Sequence, residues 1–162
     1  MESYLTAEIS GSAVRGNLAA LREVLSPGVK LCAVVKADAY GHGLTTLLPV
    51  VSADADAVAV ATPDEAIALR ELGYERPVLM FFSACAYTDG RELRDALEQL
   101  IARSVTLTVV SAAEVAAVAD AARRARAAAQ VHVMIDSGMN RSGVPAAGAA
   151  GVVHAVRQAD GV

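Results

Sequence analysis

Residues 33–43 contain the run Ala33-Val34-Val35-Lys36-Ala37-Asp38-Ala39-Tyr40-Gly41-His42-Gly43. The small and β-branched residues before the lysine predict a buried strand, and the two glycines predict a tight turn after it. A lysine at the end of such a strand can be held partly out of water, which favours the neutral, nucleophilic form of its amine. A cofactor with a reactive carbonyl group requires that form, because only a neutral amine condenses with it. The run therefore indicates a strand that delivers Lys36 to a functional site.

Short β-branched runs alternate with longer helix-like segments along nearly the whole chain. The predicted strands are residues 30–35, 57–61, 77–82, 106–110 and 131–135. Between them, Thr62-Pro63-Asp64-Glu65 and Ser111-Ala112-Ala113-Glu114 are typical of helix starts, because each offers a hydroxyl cap and an acid three residues later. The second of these helices is expected to end at about residue 128. Strand starts lie roughly 20–30 residues apart, which is the size of a βα unit in a parallel sheet.

Two α/β architectures fit this local pattern, namely an open doubly wound sheet and a closed (β/α)8 barrel. A complete barrel takes about 250 residues and has eight strands. The chain has 162 residues, which provide only five predicted strands. The pattern by itself therefore favours a small doubly wound domain.

Composition excludes several classes of function. The formal net charge is −4 and the isoelectric point is near 5.3, which gives no reason to expect nucleic acid or an anionic membrane as partner. The mean hydropathy of +0.41 arises mainly from alanine and valine, and charges interrupt the apolar stretches before they reach the length of a membrane span. Cys32 and Cys85 have no metal-ligand spacing and are expected to be reduced core residues. We therefore expect a cytoplasmic protein with no metal site.

Two separated motifs resemble those of the alanine racemase family. One is the lysine run, and the other reads Val131-His132-Val133-Met134-Ile135-Asp136-Ser137-Gly138-Met139-Asn140-Arg141-Ser142-Gly143. A lesser match, Ala59-Val60-Ala61-Thr62-Pro63-Asp64-Glu65-Ala66, lies between them. The resemblance implies a partial (β/α)8 barrel of the TIM type, with about five βα units and parallel strands, and it replaces the doubly wound interpretation. Alanine racemases have an eight-stranded barrel followed by a β-rich domain, so residues 1–162 are expected to be the N-terminal portion of such a barrel.

The resemblance also implies the roles of three site residues. Lys36 would bind pyridoxal 5′-phosphate (PLP) as a Schiff base and accept the substrate proton on one face. Tyr40 would contact the phosphate group of the cofactor, and Arg141 would bind the substrate carboxylate. Asp136 is expected to cap nearby backbone amides or to pair with a neighbouring residue, and not to act as a base. Met134 stands where many family members have a carbamylated lysine that orients the arginine, so the substrate range can differ.

The implied function is a PLP-dependent racemase that interconverts L- and D-alanine and supplies D-alanine for cell-wall peptidoglycan. By the same resemblance, the complete protein would be a homodimer in which a tyrosine from the second domain acts on the other face of the substrate. We therefore expect these 162 residues alone to be inactive. Two alternatives stay open, which are a racemase of serine or a broader range of amino acids and a non-catalytic, truncated PLP-binding remnant.

Overall fold

The computed structural model describes residues 6–86 and 90–162. Its main sheet has five parallel strands, which are β1 (Cys32–Val34), β2 (Ala57–Val60), β3 (Val78–Met80), β4 (Val105–Val109) and β5 (Val131–Val133). Each strand pairs with the next one in the chain, in the order β1-β2-β3-β4-β5. A doubly wound sheet reverses this order at a switch point, whereas a barrel always adds the next strand on the same side. The unbroken order is therefore that of a barrel segment.

Helices connect the strands and cover the sheet. They are α1 (Gly11–Val24), the turn α2 (Lys36–Tyr40), α3 (Leu44–Asp54), α4 (Pro63–Glu71), α5 (Gly90–Ala102), α6 (Ala112–Ala125) and α7 (Ala146–Gln158). A 3-10 turn covers Ala84–Ala86. Beyond β5, the short strands β6 (Ile135–Asp136) and β7 (Val144–Pro145) pair with each other in parallel. The β6–β7 pair encloses the loop that carries Arg141.

Both predicted helix caps are present. The Thr62 side chain accepts a hydrogen bond from the Glu65 amide, and the Glu65 side chain accepts one from the Thr62 amide, which completes a capping box at α4. At α6, the Ser111 side chain accepts a hydrogen bond from the Glu114 amide. The end of α6 was predicted too late, because Arg126 adopts a left-handed conformation with φ of 53° and stops the helix at Ala125.

The core lies between the sheet and the helices. Its largest fully buried side chains come from α4, α5 and α6 and from strands β2, β3 and β4, and they are Leu69, Leu97, Leu100, Val115, Val58, Val60, Val78, Met80, Val105, Leu107 and Val109. Burying one such side chain contributes about 1.5–3 kcal/mol of hydrophobic free energy. The prediction that Cys32 is a core residue is wrong, because its side chain lies exposed on β1. The strand β1 lies at the edge of the five-stranded sheet, so it has a neighbouring strand on one side only.

Candidate active site

The turn that begins at Lys36 has a left-handed backbone. The residues Ala37, Asp38, Ala39 and Tyr40 have φ values of 52°, 52°, 54° and 57°. This conformation costs about 1–2 kcal/mol for each residue other than glycine, which amounts to about 4–8 kcal/mol for the turn. The sequence did not indicate it, because alanine favours a right-handed helix. Contacts with the rest of the fold must therefore hold the turn.

The end of the turn is closed by hydrogen bonds and by two glycines. The amide of Gly41 donates to the carbonyl oxygen of Ala37 at 2.9 Å. An Asp38 carboxylate oxygen accepts a hydrogen bond from the Leu44 amide at 2.6 Å, which fixes the turn to the start of α3. Gly41 and Gly43 have φ values of 80° and 87°, which glycine adopts without steric cost. The chain therefore leaves the turn at a defined position.

The Lys36 side chain is half-buried between two aromatic rings. Its Nζ lies 5.8 Å from the centroid of the Tyr40 ring and 5.5 Å from that of the Phe81 ring. Both distances fall within the range of cation–π attraction. Within residues 6–86 and 90–162, no carboxylate forms an ion pair with this amine. The structure thus brings Lys36 and Tyr40 together and leaves the amine without a competing anion in that part of the chain.

Arg141 lies against a second phenylalanine. Its Cζ is 5.4 Å from the centroid of the Phe82 ring, and the Phe81 and Phe82 rings are 4.9 Å apart with planes inclined at 43°. An aromatic pair therefore separates the two cationic residues, Lys36 on one ring and Arg141 on the other. The sequence motifs did not indicate this pair. Its position directly after β3 was the available signal, because barrel enzymes place their functional groups at the C-terminal ends of strands.

The loop that carries Arg141 borders a cavity of about 210 Å³. Phe82, Met134 and Met139 supply apolar parts of its lining. At the base of the loop, an Asp136 carboxylate oxygen accepts hydrogen bonds from the Gly138 amide at 2.9 Å and the Asn140 amide at 3.1 Å. These two bonds hold the pKa of the Asp136 carboxyl below its usual value. Asp136 therefore caps local amides, as the sequence predicted.

No described helix has the length and apolar composition needed to cross a membrane. Residues 6–86 and 90–162 also contain no cluster of three or more histidine, cysteine or acidic side chains that could hold a metal ion.

Comparison with known proteins identifies the family. Residues 9–162 match the model of the alanine racemase N-terminal domain. The chain belongs to the alanine racemase family. Alanine racemase 2 from Oceanobacillus iheyensis is 39% identical over 138 residues, which are 85% of this chain and 33% of that relative. The chain thus spans about a third of the length of the curated relatives that it matches.

Solved structures of the family share the fold. Alanine racemase from Clostridium difficile, in complex with cycloserine, superimposes with a TM-score of 0.81 at 31% identity, over 93% of this chain and 40% of that chain. A histidine racemase from Leuconostoc mesenteroides gives a TM-score of 0.79 at 27% identity, over 93% of this chain and 39% of that chain. The partial barrel expected from the sequence motifs is therefore confirmed.

Proposed function

We propose that this chain is the cofactor-holding part of a PLP-dependent racemase that interconverts L- and D-alanine, with Lys36 as the residue that binds PLP. The position of the Lys36 amine carries this proposal, because a strained turn holds it 5.8 Å from the Tyr40 ring and 5.5 Å from the Phe81 ring. Membership of the alanine racemase family supports the reaction class. Since the chain spans about a third of its relatives, the activity belongs to the whole protein.

The residues around Lys36 fit the groups of PLP. The amine can condense with the aldehyde, and the Tyr40 side chain, which is 58% exposed, offers a phenol to the phosphate. Phe81 provides an aromatic surface beside the amine. Space is open next to Gly41, where an added Cβ would meet nothing within 4 Å. We infer that Lys36 and Tyr40 would hold the cofactor.

The proposed chemistry divides among three side chains. Bound PLP withdraws electron density from the Cα–H bond of an amino acid, which makes that proton removable near neutral pH. The Lys36 amine would accept or return the proton at Cα on one face of the substrate. Arg141 would bind the substrate carboxylate through paired hydrogen bonds, and the Phe82 ring would support its guanidinium group. The other face needs a second proton donor, which the resemblance assigns to a tyrosine of a second domain in a homodimer.

Conversion of L-alanine to D-alanine by the intact PLP-loaded protein tests the proposal. The sequence has two lysines, Lys30 and Lys36, which provides a matched control. We expect Lys36→Ala to lower the rate by at least about a hundredfold, because a positioned acid–base group contributes that much. Lys30→Ala, at an exposed position before β1, is expected to retain the activity. A Lys36→Ala variant as active as the wild type would refute the assignment.

A broader substrate range is the second candidate, and Met134 favours it. This apolar side chain lines the cavity beside Arg141 and cannot supply an anion to that guanidinium group. The histidine racemase that shares the fold shows that this architecture is not restricted to proteins named for alanine. Values of kcat/KM for alanine, serine and histidine decide between the two candidates. PLP bound at Lys36 without racemisation of any of the three would instead indicate a non-catalytic remnant.

A further inference from the structure

One carboxylate connects the lysine turn to the neighbouring strand. The regular ladder between β1 and β2 ends with the Val35 amide, which donates to the Ala59 carbonyl oxygen at 2.9 Å. Just beyond that point, the Ala37 amide donates to Oε1 of Glu65 at 2.7 Å, and the Ala61 amide donates to Oε2 at 2.8 Å. Glu65 thus uses its two oxygens to join two adjacent chain segments where their backbones no longer pair.

This bridge, which the Glu65 carboxylate forms between the Ala37 and Ala61 amides, holds the first residue of the strained segment. Ala37 follows Lys36 directly and is the first of the four consecutive residues with φ near 50°. Oε2 of Glu65 also accepts a hydrogen bond from the Thr62 amide at 3.2 Å, within the capping box of α4. The carboxylate is therefore anchored on a helix end and is not free to follow the turn if the turn moves.

We propose that Glu65 is a positioning residue for Lys36. It does not touch the reacting atoms. Its carboxylate fixes the start of the left-handed turn and so places the Lys36 amine between the Tyr40 and Phe81 rings. The inference rests on the proposed role of Lys36 as the PLP-binding residue.

A second capping glutamate in this chain provides a control that distinguishes a positioning role from a capping role. Glu114 occupies the corresponding place at the start of α6, where its Oε2 accepts a hydrogen bond from the Val110 amide at 2.8 Å and its own amide donates to the Ser111 hydroxyl. The hydrogen bonds of Glu114 within the described residues stay at this helix start, and none reaches the lysine turn. Glu114→Gln therefore disturbs a cap alone, whereas Glu65→Gln disturbs a cap and the bridge.

Two readouts on the intact protein test the inference. The first is the rate at which Lys36 becomes covalently linked to added PLP, trapped by borohydride and quantified by peptide mass spectrometry. The second uses no cofactor and measures the modification of Lys36 by an amine reagent relative to Lys30 in the same sample. Glutamine keeps the size of the side chain but replaces one acceptor oxygen with an amide group that donates, so one backbone amide loses its acceptor.

We expect Glu65→Gln to slow the trapping of PLP at Lys36 by about tenfold to a hundredfold, because small misplacements of a reacting group have effects of that size. The same variant is expected to change the Lys36-to-Lys30 modification ratio, while Glu114→Gln leaves both readouts at the wild-type value. Glu65→Asp, whose side chain is one methylene shorter and is not expected to reach both the Ala37 and the Ala61 amide, should behave like Glu65→Gln and serves as a second variant.

The possible results separate this inference from the proposed function. If Glu65→Gln and Glu65→Asp trap PLP at the wild-type rate, or if Glu114→Gln loses as much, Glu65 has only a capping role and the inference is overturned. If the wild-type protein traps no PLP at Lys36, the proposed function fails. The amine-reagent ratio then still decides the inference, since an unchanged ratio in both Glu65 variants rejects it and a changed ratio supports it.

Discussion

Adding one methyl group at Gly143 is expected to damage the loop that carries Arg141. Gly143 has φ of +116°, and a Cβ built there would lie 2.6 Å from the backbone nitrogen of Asp136 and 3.0 Å from the carbonyl carbon of Ile135. These atoms belong to the β6 backbone, which cannot move aside as the end of a flexible side chain can. Gly143→Ala must therefore push β6 away from the segment that leads into β7.

The size of the effect follows from two terms. A positive φ at a residue other than glycine costs about 1–2 kcal/mol. Overpacking against atoms that do not yield costs about 1–3 kcal/mol more. We expect Gly143→Ala to lower the free energy of unfolding by about 2–5 kcal/mol. The effect is smaller only where local opening of the loop relieves the clash. Local opening would break the hydrogen bond from the Val144 amide to the Met134 carbonyl oxygen, which is 2.9 Å long.

Gly151→Ala is a matched control, for which we expect the free energy of unfolding to rise instead of fall. Gly151 lies in α7, and a Cβ added there would meet nothing within 4 Å. Alanine is a better helix former than glycine by about 1 kcal/mol, so Gly151→Ala is expected to stabilise the protein by about that amount. Urea unfolding of the two variants and the wild type measures both effects in the same assay. The proposed binding of a small carboxylate to Arg141 provides a readout of local opening of the loop.

A Gly143→Ala variant that is as stable as the wild type and also binds the carboxylate with wild-type affinity would refute the prediction. A shift of the urea midpoint in the same direction by both alanine variants would refute it equally. Either result would mean that the backbone around Gly143 differs from the conformation described here.

Two further predictions concern residues away from the site. The Arg70 guanidinium group donates hydrogen bonds to four backbone carbonyl groups. Arg70→Met is therefore expected to lower the free energy of unfolding by about 2–4 kcal/mol in the same urea assay. The control Arg123→Met, on the exposed face of α6, is expected to change it by less than about 0.5 kcal/mol. The hydrogen bond from the Leu31 amide and the ion pair with Arg22 hold the pKa of Asp56 below its usual value. Its contribution to stability is thus complete above about pH 4 and is lost as the pH falls through the folded-state pKa. Thermal melts should show Asp56→Asn below the wild type at pH 7 and a shrinking difference in acid, and a constant difference would contradict this account.

The sequence predicted the parts of the fold that depend on local patterns. The β-branched runs located all five strands of the main sheet, with ends that differ by at most two residues, and the cap signals at Thr62 and Ser111 located two helix starts. Strand order was not accessible in this way. The local pattern favoured a doubly wound sheet, and only the family motifs indicated the barrel segment that the structure contains.

The conformation of the lysine turn could not be predicted, because its causes are remote in sequence. Ala37 and Ala39 favour a right-handed helix when only local preferences act. The left-handed form is held by the carboxylate of Glu65, which lies 28 residues beyond Ala37 along the chain, together with the bond from Leu44 to Asp38. A similar limit applies to Arg141. The sequence motifs did not indicate which side chain supports its guanidinium group, and the structure places an aromatic ring, Phe82, beside it.

Peptide mass spectrometry of the intact protein, reduced with borohydride after incubation with PLP, identifies the lysine that binds the cofactor. We expect a covalently attached pyridoxyl group on Lys36 and none on Lys30, because within residues 6–86 and 90–162 only Lys36 has its amine near two aromatic rings. Modification of Lys30 with Lys36 left unmodified, or no modification of either lysine, would contradict this expectation.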